Sequence, residues 1–232
     1  EGLPGALHLP EEAWVDSAGL AHALAGAARK LGVRRFVYAS SSSVYGDSEQ
    51  LPKQEEELGR PLSPYAVTKL VNEQYADVFA RTYGFKTIGL RYFNIFGAHQ
   101  DPQGAYAAAV PIFIARALRN EPLTIFGDGG QTRSFTYVDD EIRGFLALLD
   151  SDVTTPVNIG NDNEFTIAQL AELVVEVTGS SSEIVHLPLP EDDPMQRRPD
   201  LTKARSLLGW EPTIQLREGL ERTAEYFTSR IV

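Results

Sequence analysis

Residues 28–46 read ARKLGVRRFVYASSSSVYG, and the order of residue types in that stretch decides the fold class. A basic helix end runs into Gly32, a residue type that closes helices in the left-handed conformation. The short apolar run FVYAS follows. It does not alternate with polar residues, which suits a parallel strand buried on both faces. Ser40, Ser41, Ser42 and Ser43 then stand where the strand ends. Ligands of open α/β sheets bind beyond the carboxyl ends of strands, so this serine run is the first candidate for a site.

The rest of the chain keeps the same rhythm. Asp47 to Arg60 is polar and reads as a loop. A helix is expected from about Pro64 to Thr82, with Pro64 in its first turn and Gly84 just past its end. KTIGLRYFNIFG reads as the next strand, PIFIARALRN as a helix, and LTIFGDGGQTRSFTYV as a strand, a glycine turn and an extended segment. DDEIRGFLALLD is helical and PVNIG is a short strand. FTIAQLAELVVEVTG carries a capping box at Thr166 and Gln169 and ends at Gly179. EIVHLPL is a strand, a proline- and charge-rich loop runs from Pro188 to Pro199, and DLTKARSLLG and LREGLERTAEYFTSRI close as helices. Strands alternate with helices, so the class is α/β.

Bulk composition narrows the function. The 232 residues suffice for one sizeable core or two small ones. Hydrophobic residues make up 43% and charged residues 23%, close to globular averages. No apolar run approaches the roughly 20 residues of a membrane span. The opening EGLPGALHLPEEAW has no basic region leading into an apolar one, so no signal peptide is expected and the localisation read from it is cytoplasmic. Cysteine is absent, which excludes disulfides and thiolate chemistry. His8, His22, His99 and His186 lack metal-ligand spacing, so no metal is expected. The formal charge of −11 argues against a nucleic-acid partner, while leaving room for a local basic pocket.

The residues that suit chemistry start with SPYAVTKLVNE, residues 63–73. Tyr65 and Lys69 are four apart and share a helix face. An ammonium beside a phenol favours the phenolate, which is what a tyrosine needs to act as a base well below its ordinary value of about 10. A hydroxyl at the end of the preceding strand can hydrogen-bond both the phenol and a substrate hydroxyl.

With those residues in view, the chain resembles the extended short-chain dehydrogenase/reductases, and among them the NAD-dependent epimerase/dehydratase family that includes UDP-sugar 4-epimerases. The matching stretches are FVYASSSSVYGD, PLSPYAVTKLVNE, LRYFNIFGAHQDP, LTIFGDGGQTRSFTYVDD and RRPDLTKARSLLGWEP. The resemblance implies a Rossmann-like parallel sheet, N-terminally incomplete here, with a smaller C-terminal α/β substrate lobe. Residues 1–105 would be the remainder of the NAD domain and 106–232 mainly the nucleotide-sugar lobe, with some segments interleaved. It also implies NAD as cofactor, a UDP-sugar as substrate and a homodimer through the Tyr65 helix.

Carried over by position, the resemblance makes Ser41 the catalytic hydroxyl, Tyr65 the base and Lys69 the ligand of the nicotinamide ribose. Ser40 and Phe93 fall on the cofactor side. Ser42, Ser43 and Asn94 fall on the substrate side, Asn94 toward the diphosphate. Ala108 and Ala109 match the backbone over the nucleotide, Thr124 and Phe126 the uracil edge, and Arg133 the phosphate-binding arginine, whose planar fork suits oxyanions.

Two departures matter. Dehydrating relatives carry Asp-Glu just before Val-Tyr-Gly, and UDP-glucuronate decarboxylases carry Glu immediately before it; here those slots are Ser42 and Ser43. A hydroxyl is a poor proton acceptor at neutral pH, which leaves oxidation and re-reduction at C4, an epimerisation. The stretch from PLSPYAVTKLVNE to AVP looks like 4-epimerases of UDP-N-acetylhexosamines, whereas QTRSFTYVDD to GWEP looks more like the decarboxylases. The arginine of the family's Arg-x-Gly-Asp is replaced by Pro190 in the register Pro190, Glu191, Asp192, Asp193, and Arg197 is the stand-in. The second departure is the glycine loop that cradles the cofactor pyrophosphate. Gly2 and Gly5 have no strand before them, and Gly127, Gly129 and Gly130 lead into an extended segment. ALHL matches the family's fourth strand, and Asp16 replaces an asparagine. Three functions therefore stand: a 4-epimerase, a decarboxylase-like relative, and a non-catalytic nucleotide-sugar-binding or assembly fragment.

Overall fold

A computed structural model describes residues 11–104, 108–188 and 196–231. ALHL, Gly2, Gly5, the side chain of Asp16 and the register from Pro190 to Asp193 lie outside the described residues.

The chain runs α1 (Glu11–Lys30), β1 (Phe36–Ser41), a 3-10 turn (Ser42–Tyr45), α2 (Pro64–Tyr83), β2 (Thr87–Tyr92), β3 (Ile95–Phe96), α3 (Ala109–Leu118), β4 (Leu123–Phe126), β5 (Thr132–Ser134) and β6 (Thr136–Tyr137). It continues with α4 (Val138–Asp150), β7 (Val157–Ile159), β8 (Glu164–Thr166), α5 (Ile167–Thr178), β9 (Ile184–Leu187), α6 (Thr202–Leu208) and α7 (Leu216–Ile231). The main sheet is parallel, in the order β1-β2-β7. Smaller pairs join β3 to β6 and β4 to β9 in parallel, and β5 to β8 antiparallel. This is the mixed α/β arrangement expected from the alternation of strands and helices, and the Rossmann-like parallel sheet that the resemblance implies.

Local chemistry explains the helix limits. Ser63 caps α2 by accepting from the Ala66 amide at 3.2 Å, Pro64 occupies its first turn, and Gly84 closes it in the left-handed region at φ 62°. The capping box of α5 forms from both directions, with Gln169 N to Thr166 Oγ1 at 3.0 Å and Thr166 N to Gln169 Oε1 at 2.8 Å.

One expected strand is two. KTIGLRYFNIFG divides into β2 and β3 because Asn94 adopts φ 43°. Asparagine tolerates that left-handed conformation, and its Nδ2 donates to the Ser134 carbonyl at 2.8 Å. The turn carries the chain from the main sheet to β6. The three-residue β8 was too short to show a period in sequence.

Two cores result. Leu90, Leu148, Val157, Ile159 and Trp210 pack on the main sheet. Ile114, Leu123, Leu170, Leu220 and Phe227 form the second core among α3, α5, α7 and β4. β7, α4 and α6 come from the second half of the chain yet serve the main sheet, so the halves are interwoven. Among the described residues, no helix is long and apolar enough to cross a membrane.

Candidate active site

The site begins at the carboxyl end of β1, where alternate residues point to opposite faces. Ser40 is 2% exposed and its hydroxyl donates to Glu73 Oε1 of α2 at 2.5 Å. Ser41 is half-buried and caps the 3-10 turn, its Oγ accepting from the Ser43 amide at 3.1 Å. Its hydroxyl proton is left to donate elsewhere. Ser42 is buried. The Ser43 hydroxyl oxygen is buried without a hydrogen-bond partner among the described residues.

α2 lies against this strand end. Tyr65 sits in its first turn, half-buried. One helical turn on, Lys69 Nζ lies 5.4 Å from the Tyr65 ring centroid and donates to the Ala39 carbonyl of β1 at 3.0 Å. That bond ties the lysine to the backbone two residues before Ser41. An ammonium has three donors, so two protons remain for other acceptors. Burial lowers the Lys69 pKa from its ordinary value.

Beneath the pair lies a buried polar network. Arg91 of β2 binds Glu73 through two bonds, Nε to Oε1 at 2.9 Å and Nη2 to Oε2 at 2.7 Å. Its Nη1 donates to Tyr45 Oη at 3.1 Å and to the Glu55 carbonyl at 2.7 Å. Tyr45 Oη donates to Asn158 Oδ1 at 2.6 Å, and the Asn158 amide donates to Glu55 Oε1 at 2.9 Å. Burial raises the pKa of both Tyr45 and Glu55. Bidentate arginine–carboxylate geometry fixes orientation as well as energy. The network therefore locks α2 to β1, β2 and β7, and with it the placement of Tyr65 and Lys69. Sequence reasoning passed over Glu73, Arg91 and Asn158. The signal was present: Glu73 is one turn beyond Lys69 on the same face.

The remaining predicted residues fall into two further groups. Ser41 pairs with Tyr92 in the β1–β2 register, so Asn94 follows closely beyond the same sheet edge. Asn94 bonds the Ser134 carbonyl, and Ser134 Oγ donates to the Arg197 carbonyl at 2.9 Å. Arg133, on β5 beside Ser134, is half-buried and its Nη1 donates to the Thr132 carbonyl at 2.7 Å. Asn94, Arg133 and Arg197 are thus gathered by β5. The third group is Thr124 and Phe126 on β4, with Ala108 and Ala109 opening α3. Thr124 Oγ1 accepts from Arg116 at 2.9 Å, and the Phe126 carbonyl accepts from Gln131 at 3.1 Å. Ala108, the N-cap of α3, makes no side-chain cap bond. Phe93, expected on the cofactor side, is 0% exposed, and its ring packs 6.0 Å from that of Tyr45. Any contact it makes with a ligand runs through its backbone. Among the described residues, no cluster of three or more acidic or histidine side chains is arranged to hold a metal.

A strand-end hydroxyl, a tyrosine and a lysine stand at one end of the parallel sheet, and the lysine is bonded to its first strand. The profile of the NAD dependent epimerase/dehydratase family matches residues 2–160, and the chain belongs to that family. Among curated proteins it is similar to UDP-glucuronic acid decarboxylase 1 of Danio rerio, 40% identical over 211 residues, covering 89% of this chain and 50% of that protein. UDP-glucuronic acid decarboxylase 1 of Arabidopsis thaliana is likewise 40% identical, over 212 residues, with 48% of that protein covered. The chain spans about half the length of the curated relatives it matches. Among solved structures it is similar to the UDP-glucose 4-epimerase of Thermotoga maritima, with TM-score 0.87, 37% identity, and coverage of 97% of this chain and 75% of that one. The UDP-glucuronic acid 4-epimerase of Bacillus cereus, crystallised with UDP-glucuronic acid and NAD, aligns with TM-score 0.84 and 34% identity over 92% of this chain and 67% of that one.

The residues present fit the nicotinamide–ribose end of NAD. Lys69 keeps two donors at the strand end and the Ser41 hydroxyl proton is uncommitted, a set suited to ribose and substrate hydroxyls. For the pyrophosphate, the sequence has no G-x-x-G-x-x-G, and the turn at Gly127, Gly129 and Gly130 leads into β5 instead of a helix.

Proposed function

We propose that this chain carries the catalytic part of an NAD-dependent UDP-sugar 4-epimerase, with UDP-glucuronic acid as the favoured substrate. What supports the reading is the turn after β1, where Ser42 and Ser43 carry hydroxyls and no carboxylate. Dehydrating and decarboxylating relatives need a carboxylate in those slots. The substrate choice rests on the names of relatives from both comparisons, which share UDP-glucuronic acid.

In this reading Ser41 and Tyr65 hold the sugar 4-hydroxyl, and Tyr65 accepts its proton at the phenolic oxygen. Lys69 supplies positive charge one helical turn away and orients the ribose. Bound NAD would supply the acceptor and donor of hydride at C4. Asn94, Arg133 and Arg197 hold the diphosphate about which the sugar turns, and returning the proton from Tyr65 completes the inverted alcohol. Thr124 and Phe126, with the backbone at Ala108 and Ala109, hold the uridine. Residues 1–105 thus serve mainly the cofactor and residues 106–232 mainly the nucleotide. The reading includes a cytoplasmic homodimer through α1 and α2, supported by outward apolar side chains such as Leu24, Val67, Val78 and Tyr83. A monomer by light scattering contradicts that part.

The curated relatives favour a second reading, decarboxylation. Cofactor content comes first in separating either enzyme from a non-catalytic fragment. Purified protein is denatured and released NAD is quantified by mass. Stoichiometric NAD with production of a C4 epimer supports the proposal; no NAD together with no turnover when NAD is supplied overturns it.

A further inference from the structure

The buried network beneath Tyr65 has a second arm, which leads away from α2. Ser40 pairs with Arg91, and Arg91 with Asn158, in the registers of β1, β2 and β7. Residues paired across neighbouring strands share a face, so these three buried residues form one polar row across the parallel sheet. Asn158 ends the row on β7 and is 0% exposed. Its Oδ1 and its main-chain amide bond Tyr45 and Glu55, the partners of Arg91. Its Nδ2 serves two other segments. It donates to the Lys53 carbonyl at 2.8 Å and to the Asp200 carbonyl at 3.3 Å.

Those two segments are zipped to each other. Lys53 pairs in parallel with Pro199. The Lys53 amide donates to the Arg198 carbonyl at 2.8 Å, and the Asp200 amide donates to the Lys53 carbonyl at 2.9 Å. The span 197–200 is thus held at both ends, by the Ser134 hydroxyl at the Arg197 carbonyl and by Asn158 at the Asp200 carbonyl. A side-chain amide has two protons to donate, and Asn158 commits both to this junction. Inside the fold no water replaces a lost donor, so each carbonyl depends on it.

We infer that Asn158 is a positioning residue. Its amide clamps residue 53 and residues 198–200 to the polar row, and so sets the nucleotide-sugar side of the site on the same frame as the Tyr65 helix. This rests on the proposed UDP-sugar site, in which Arg197 holds the diphosphate. Without the clamp, part of the ligand's binding free energy goes into ordering the span 197–200. Affinity then falls with the fraction of molecules in which that span is already in place. Saturating ligand restores the span, so the loss falls on binding and spares the chemical step.

The test is hydrogen–deuterium exchange of the whole 232-residue protein with and without UDP, comparing wild type with Asn158→Asp and Asn158→Ala. Aspartate has the size of asparagine and keeps an acceptor for Tyr45, but turns an oxygen toward the two carbonyls. The Lys53 and Asp200 amides are expected to exchange about tenfold faster in the variants, the usual worth of a pair of hydrogen bonds. Amides of β2 keep their wild-type protection, and UDP suppresses the difference. By calorimetry UDP binds about tenfold more weakly, and KM for UDP-glucuronic acid rises while kcat is retained. Thermal melts identify a variant that fails to fold, leaving the other to decide. Wild-type exchange at Lys53 and Asp200 in a folded variant, or equal acceleration in β2, overturns the inference. Unchanged affinity for UDP does the same, and each of these leaves the UDP-sugar site standing. A wild-type protein that binds no UDP overturns the site itself, and the inference with it.

Discussion

Two buried glutamates, one on each side of the main sheet, are treated in opposite ways. Glu73 of α2 is 8% exposed and Glu141 of α4 is 5% exposed. Glu73 receives two bonds from Arg91 and one from Ser40. Both carboxyl oxygens of Glu141 are buried without a partner among the described residues. Burial pushes the Glu141 carboxyl well above the ordinary carboxylate range, and the neighbouring Asp140 charge adds to the effect. The difference teaches where this fold spends polar chemistry. On the α2 side a closed network holds the Tyr65 helix in register with a strand end. On the α4 side Asp140 is bonded to Arg143, Thr213 and Ile214, while the neighbouring Glu141 is buried without a partner among the described residues and opposes stability.

The contrast breaks most readily on the partnered side. Removing one member of a buried ion pair strands the other, at a typical cost of about 3–5 kcal/mol. Glu73→Leu or Arg91→Met is expected to lower the denaturant midpoint by that equivalent, and the double variant Glu73→Leu/Arg91→Met to recover much of it. A single variant with wild-type stability would show that the network does not hold α2.

Glu141 gives the opposite sign. Its folded pKa lies above its unfolded value, so the folded state binds the proton more tightly. The stability this contributes is present below the unfolded value of about 4.3 and is lost as pH rises toward the folded one. Replacing the orphaned group with an apolar one removes a desolvation cost of about 1–3 kcal/mol. Glu141→Leu is expected to raise the melting temperature, more at pH 8 than at pH 4. A lower melting temperature at both would mean that the carboxyl has a partner.

A smaller effect sharpens the α2 side alone. Ser63→Ala removes the cap bond to Ala66 and is expected to cost about 1 kcal/mol. Turnover should fall with it, because Tyr65 lies in the turn that the cap organises. A stability loss with unchanged turnover would separate the helix start from the chemistry.

Much of this was legible in the sequence. The alternation of apolar runs with helices, Pro64 in a first turn, the capping box at Thr166 and Gln169, and the spacing of Tyr65 and Lys69 depend on neighbours within a few residues. What stayed hidden depends on distant partners. Arg91 reads as a charge inside a strand until Glu73, Tyr45 and Glu55 surround it. Asn94 reads as a strand residue until Ser134 captures its side chain and bends the backbone. Phe93 was assigned to the cofactor side, but the close approach of Gly160 seals it into the core: a Cβ there would lie 2.9 Å from that of Phe93.

The central claim is that serines at Ser42 and Ser43 restrict the chemistry to inversion at C4. Its most direct test is proton NMR of UDP-glucuronic acid incubated with the protein and NAD, with Tyr65→Phe as the control. The account predicts the C4-epimeric uronic acid, retention of the carboxyl carbon, and loss of turnover in the variant. Release of carbon dioxide with a pentose product, or near-full turnover by Tyr65→Phe, would contradict it.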